Sequence, residues 1–296
     1  MIWLWAIRPR TLPLAASAII LGYGLALMGK NASGLVFTLA LVTAVLLQIL
    51  SNLANDYGDA VAGTDTKERL GPTRMVGSGL TTPKKMLHAM VFSALLAAGS
   101  GSALVLTAAW GNLPLLLFFV FLGACSVAAA ILYTVGKRPY GYYGLGDFMA
   151  GFFFGPVPVW GTAVLCGADA GAYLFLPGMA AGFCSAMVLN VNNMRDIETD
   201  GKAGKKTVAV RLGLSRARRY HATLCALVIL CWAAFWITQN AAYLPALVLS
   251  LPLAASAHKA VTKTSDPVNM NRQLKNTVLS SALLSGGMGV LCAFAG

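Results

Sequence analysis

Apolar runs of about 20 residues, separated by polar stretches, organise this chain from end to end. A helix needs about that many mostly apolar residues to cross the hydrocarbon core of a bilayer. Nine runs meet the requirement: roughly 11–29, 35–54, 86–108, 113–134, 146–166, 173–194, 220–238, 243–260 and 277–295. None shows the period-two alternation over about 10 residues that marks a barrel strand. No small-residue cleavage site with a soluble remainder follows the first run, so it reads as a span and not a signal peptide. The pattern predicts an all-α, polytopic membrane protein with nine transmembrane helices, forming one domain over residues 1–296.

Composition agrees. The chain is 57% hydrophobic and 11% charged, against about 25% charged for a soluble domain. A soluble enzyme and a disordered chain are both excluded. Lys and Arg number 22 against 10 acids, a net charge of +12. Twenty-one of these bases fall in the loops 1–10, 55–85, 135–145, 195–219 and 261–276, with the flanking Lys259; the opposite side holds only Lys30. Cytoplasmic loops carry the excess of Lys and Arg. The N-terminus is therefore expected inside and the C-terminus outside, in a cell (inner) membrane. Bases distributed this way orient spans and do not form a nucleic-acid face.

The acids are where chemistry is expected. Seven of the ten lie in two long inside segments, 52–79 and 190–213. Asn52, Asn55, Asp56 and Asp59 recur at i, i+3, i+4 and i+7, one face of a helix; Asn192, Asp196 and Asp200 recur at i, i+4 and i+8. Carboxylates stacked on one stripe repel, and a divalent cation removes the conflict. Mg²⁺ uses few carboxylates together with substrate phosphates and water. Lys67, Arg69 and Arg74 follow the first cluster, and Lys202, Lys205 and Lys206 the second. Acids followed by bases, twice, suit a metal–diphosphate site with the bases on the phosphate oxygens. Solvated loops remain the alternative, made less attractive by the duplication.

Other features carry less. The six cysteines include no C-x-x-C pair and read as small core residues. His88, His221 and His258 stand alone at span edges. Asp147, at the inside start of the fifth span, is either an ionisable functional group at membrane depth or an acid favoured by the helix dipole. Tyr133, Thr134, Lys137, Arg138, Tyr140 and Tyr143 make a polar, aromatic and basic loop that can face the site. Arg8 and Arg10 are either anchors or substrate contacts. A secondary transporter is a rival class, disfavoured because the acids sit at span ends and not near the midplane.

The motifs NLANDYGD…GTD with RLGPTRMVGSG, and NNMRDIETDGKAGKKTVAVRLG, resemble those of the UbiA-type membrane prenyltransferases. With RPRTLP, YGYYGLGD and FFFGPVPVWGT, they look most like the subgroup that prenylates 1,4-dihydroxy-2-naphthoate in menaquinone synthesis. The resemblance implies nine helices around a central cavity, Mg²⁺ dependence and two Asp-rich motifs. It implies a polyprenyl diphosphate donor and a 1,4-dihydroxy-2-naphthoate acceptor; no protein partner is inferred. The first motif can be placed on Asn52/Asp56 or on Asn55/Asp59; we favour Asn55 and Asp59, with Asp65 third and Asp56 in support. The second falls on Asn192, Asp196 and Asp200. These six, Asn55, Asp59, Asp65, Asn192, Asp196 and Asp200, are the expected metal ligands. Asp59, Asp65, Asp196, Asp200 and Asp147 are the expected catalytic acids. Lys67, Arg74, Lys205 and Lys206 are expected on the diphosphate, Asn52, Asp56 and Tyr133 elsewhere on substrate, and Arg8, Arg10 or Arg138 on the naphthoate carboxylate. Sister activities on 4-hydroxybenzoate, haem or chlorophyll acceptors are the nearest rivals.

Overall fold

A computed structural model describes residues 2–29, 32–64, 71, 73–262 and 267–295, the side chains of 267 and 268 excepted. Asp65 and Lys67 lie outside the described residues. Among those described there is no strand, and nine helices are long and apolar enough to span a membrane. They are α1 (Ile2–Met28), α2 (Gly34–Val61), α3 (Pro83–Ala109), α4 (Leu113–Leu132), α5 (Gly146–Leu165), α6 (Ala172–Arg195), α7 (Val208–Gln239), α8 (Ala241–Thr262) and α9 (Asn269–Phe294). The chain is a multi-pass membrane protein.

Polar residues set several helix starts. Ser33, Thr82, Asn112 and Thr207 each accept a hydrogen bond from the backbone N–H three residues on, at 3.2–3.3 Å. Such caps satisfy donors that the first turn leaves orphaned. Pro83 and Pro114 stand in first turns, where their missing N–H costs nothing.

Consecutive helices pack side by side except α4 and α5, which meet through the Phe118 and Phe119 rings on Trp160, and α9 returns against α1. That contact is backbone on backbone: a Cβ at Gly24 would run into the Gly289 carbonyl. A cluster of buried apolar residues draws on α1, α5, α6, α7, α8 and α9; within it Trp232, Phe235 and Trp236 are buried and Trp236 stacks on Tyr243 at 5.0 Å. The outer surface is apolar, with Leu95, Phe121 and Leu283 each 67–69% exposed. A bilayer covers such a surface, which in water would drive aggregation.

Four features depart from the hydropathy pattern. Helix α2 continues to Val61, so the first acid stripe is the last turns of a span and not a loop. The fifth span breaks at Gly155, before Pro156, and α7 kinks at Gly213 (φ 73°). The eighth span opens as a 3-10 helix over Ala241–Ser250 that includes Pro245.

Candidate active site

The bundle encloses a cavity of about 1220 Å³. One end is polar, with Asn55, Asp59, Arg74, Asp196, Asp200 and Lys205 in its wall; further in, the wall is apolar, with Leu104, Phe119, Phe153 and Phe154 among its residues. The polar end is where the base-rich loops meet.

Asp59 is the node. Its Oδ1 accepts from the Tyr142 hydroxyl at 2.6 Å and from Lys205 Nζ at 2.9 Å, and its Oδ2 accepts from Arg74 Nη2 at 2.6 Å. The Thr64 hydroxyl also donates to Oδ1, at 3.3 Å. One carboxylate thus joins the loop after α2, the loop before α5 and the loop before α7. Lys205 also lies over the Tyr142 ring, 4.7 Å from its centre, a favourable cation–π position. The Lys206 N–H donates to the Tyr142 carbonyl at 2.8 Å, which holds two of these loops together. Gly144 makes the intervening turn at φ 79°, with Arg211 packed where a side chain would begin.

The second stripe is arranged differently. Arg195 donates to both oxygens of Asp196, at 2.8 and 2.5 Å, and to Asn192 Oδ1 and Asn271 Oδ1, each at 2.9 Å. Its side chain is fully buried. Asp200 stands 3.8 Å from Lys205 Nζ.

Asn55 lines the cavity, and its Oδ1 accepts from Thr134 at 3.2 Å. Asn52 also reaches the cavity, while its amide donates to Ile7 O at 2.7 Å and Thr11 Oγ1 at 3.0 Å, fixing the RPRT turn. Arg8 and Arg10 line the cavity beside that turn, where Arg8 takes a left-handed conformation, φ 54°.

Four expected contacts fall elsewhere. Both oxygens of Asp56 accept backbone N–H groups, from Met75 at 2.8 Å and Val76 at 3.0 Å. Asp56 therefore anchors the loop that brings Arg74 to Asp59 and does not face substrate. Arg138 and Lys206 are exposed and outside the cavity wall, so neither is placed to touch a bound substrate. Asp147 is buried behind the wall, next to Gly146, over which the Tyr133 ring packs. Its Oδ1 finds no hydrogen-bond partner among the described residues, and it is not in contact with the cavity.

Tyr133 does line the cavity. Burial raises its pKa above the usual tyrosine value, as do the charges of Asp147 and Asp59. Burial and the Asp59 charge do the same for Tyr142, and burial pushes Tyr140 up to about 12. All three phenols stay protonated at physiological pH; Tyr140 donates to Ala129 O and Tyr142 to Asp59.

Tyr142 and Arg195 were not among the residues singled out from sequence. Tyr142 lies within YGYYGLGD, and Arg195 precedes Asp196 inside the second motif; a base next to a motif acid was the available signal.

Among the described residues, no three Asp, Glu, His or Cys side chains converge on a metal position. The donor chemistry nonetheless suits Mg²⁺ shared with phosphate. Hard oxygen donors from two helix ends face one cavity, with bases beside them.

The UbiA prenyltransferase family profile matches residues 2–280. This chain belongs to the UbiA prenyltransferase family. The 1,4-dihydroxy-2-naphthoate octaprenyltransferase of Escherichia coli is 44% identical over 293 residues, covering 99% of this chain and 94% of that protein. The Haemophilus influenzae protein of the same name is 40% identical over 286 residues, covering 96% and 92%. A UbiA homologue from Archaeoglobus fulgidus, solved with GPP and Mg²⁺, superposes with a TM-score of 0.67 at 16% identity, covering 99% of this chain and all of that one. That likeness shows the fold. The UbiA fold here places two acid-bearing helix ends, on α2 and α6, across one cavity.

Proposed function

We propose that this UbiA-family protein transfers a polyprenyl group from an allylic polyprenyl diphosphate to 1,4-dihydroxy-2-naphthoate, giving demethylmenaquinol (the hydroquinone form of demethylmenaquinone), CO₂ and diphosphate. The observation that carries the reading is a cavity with paired acids and bases at one end and an apolar wall beyond. It is supported by relatives 44% and 40% identical that bear that activity in their names. We place the polar end on the cytoplasmic side, from the 21-to-1 division of bases.

Mg²⁺, held by Asp59, Asp196 and Asp200 with Asn55, would neutralise charge on the departing diphosphate. Arg74 and Lys205 bind the remaining phosphate oxygens, and the Tyr142 hydroxyl is a hydrogen-bond donor beside them. The allylic C–O bond breaks with its electron pair leaving on the diphosphate. Phe153 and Phe154 line the apolar wall, which excludes water that would otherwise capture the allylic cation. Arg8 and Arg10 orient the naphthoate through its carboxylate. The carboxylated ring carbon forms the new C–C bond. The bond to the carboxylate then breaks, CO₂ departs, and that bond's electrons restore the aromatic ring.

The test is a panel of acceptors given to membranes containing the protein with labelled polyprenyl diphosphate. Dihydroxynaphthoate is expected to be prenylated only with Mg²⁺, and EDTA abolishes the product. Prenylation of 4-hydroxybenzoate alone would overturn the acceptor; activity surviving thorough chelation would overturn the metal requirement.

A further inference from the structure

Four acids are buried among the described residues: Asp56, Asp59, Asp147 and Asp196. Asp147 alone neither anchors a loop nor faces the cavity. It is 5% exposed, at the inside end of α5, and its Oδ1 has no hydrogen-bond partner among the described residues. Burying a carboxyl group without partners is costly. An ionisable group kept at membrane depth against that cost marks a functional site, proton relays among them.

Tyr133 stands between Asp147 and the cavity. Its ring lines the cavity wall, and its hydroxyl lies against Gly146, the residue before Asp147: a Cβ there would meet Tyr133 Oη at 3.3 Å. The charge of Asp147 acts on the Tyr133 phenol more strongly than those of Asp59 and Asp200 do. Asp147 also acts on Tyr220 of α7, which is not in the cavity wall. Of the three phenols in that wall, Tyr140 and Tyr142 donate to Ala129 O and Asp59. The Tyr133 hydroxyl has no such partner among the described residues, which makes it the phenol open to a ligand on one side and to Asp147 on the other.

We propose that Tyr133 and Asp147 form a proton relay for the acceptor, with the Tyr133 hydroxyl touching an acceptor ring hydroxyl and Asp147 a positioning residue behind it. The relay rests on the prenyl-transfer reading above. Tyr133 Oη takes the proton of the acceptor hydroxyl next to the carboxylated carbon as Tyr133 passes its own proton to Asp147. The electron pair left on the acceptor oxygen feeds into the ring. The carboxylated carbon then bonds to the allylic carbon, and the oxygen becomes a ketone. When CO₂ departs, the electrons of its bond restore the ring and return negative charge to that oxygen. The oxygen takes a proton back from Tyr133, which recovers its own from Asp147. No proton is gained or lost over the cycle. A naphtholate is a stronger nucleophile than a naphthol, and general-base assistance of this kind is worth roughly 100-fold or more.

Steady-state prenylation by the purified full chain in detergent tests the relay, with Mg²⁺, labelled polyprenyl diphosphate and two acceptors. With 1,4-dihydroxy-2-naphthoate, Asp147→Asn is expected to lower kcat on the order of 100-fold and to leave KM for both substrates nearly unchanged, because a step after binding is lost. Tyr133→Phe should match it. The double variant should be no slower than either single one, since residues that act as a unit are not additive. The second acceptor is the same naphthoate with electron-withdrawing ring fluorines, used at a pH where its hydroxyl is already ionised. It has no proton to pass on, so the gap between wild type and Asp147→Asn is expected to close to within about tenfold. A variant damaged in its packing would be slow with both acceptors. An equal gap with both, or losses that add in the double variant, would overturn the relay and leave the prenyl-transfer reading standing. No wild-type product from dihydroxynaphthoate would overturn both.

Discussion

At Asp59, one buried carboxylate receives hydrogen bonds from Thr64, Arg74, Tyr142 and Lys205. Asparagine there keeps the shape and removes the charge that binds the cation and balances the bases. Asp59→Asn is therefore expected to lower turnover on the order of 100-fold, read by product formation at matched membrane content. Asp56, one turn earlier, behaves differently because its partners are backbone amides. Asp56→Asn weakens charge-assisted bonds worth roughly 1.5–3 kcal/mol each. Thermal unfolding should drop more than turnover per folded molecule. Turnover lost at Asp56 without loss of stability would contradict its anchoring role. Tyr140 gives a pH test. Burial holds its native pKa near 12, above its unfolded value, so its contribution to stability is full below pH 10 and fades as pH rises through 12. Tyr140→Phe should flatten stability between those values. The candidate residues were legible from spacing because helical periodicity puts Asn55 and Asp59 one turn apart. The division of labour between Asp56 and Asp59 was not, since it depends on a loop returning from 15–20 residues downstream.

Between helices, contact is set by small residues as much as by apolar ones. Gly24 and Gly289 bring α1 and α9 into backbone contact. Gly289→Leu is expected to force the pair apart and cost about 1–3 kcal/mol or more, visible as a lower unfolding temperature in detergent. Unchanged stability would mean the pair is not a close contact. The nine spans were legible because crossing a bilayer demands length and hydrophobicity and little else. The break at Gly155, inside the run 146–166, was hidden for the same reason. An apolar run reports preference for lipid and carries little information on where its backbone hydrogen bonds stop. The apolar run stops at residue 54 because the last turns of α2 are polar, and it was the i, i+3, i+4, i+7 spacing of Asn52 to Asp59 that marked them as helix.

For the whole molecule, charge links orientation to chemistry. The base-rich loops sit at one end of the bundle, and three of them meet at Asp59. Nine spans among the described residues, with the bases divided 21 to 1, lead us to expect an N-terminal reporter inside and a C-terminal one outside. Both reporters on one side would remove the topology. Substrate identity is the least legible property from the residues alone, because an apolar cavity wall reads like any apolar core. It is best tested by following the carboxylate. Dihydroxynaphthoate labelled at its carboxyl carbon, given to the purified protein with Mg²⁺ and a polyprenyl diphosphate, should release labelled CO₂ in step with formation of prenylated lipid. Prenylated product that keeps the label, or no prenylation of this acceptor, would contradict the account.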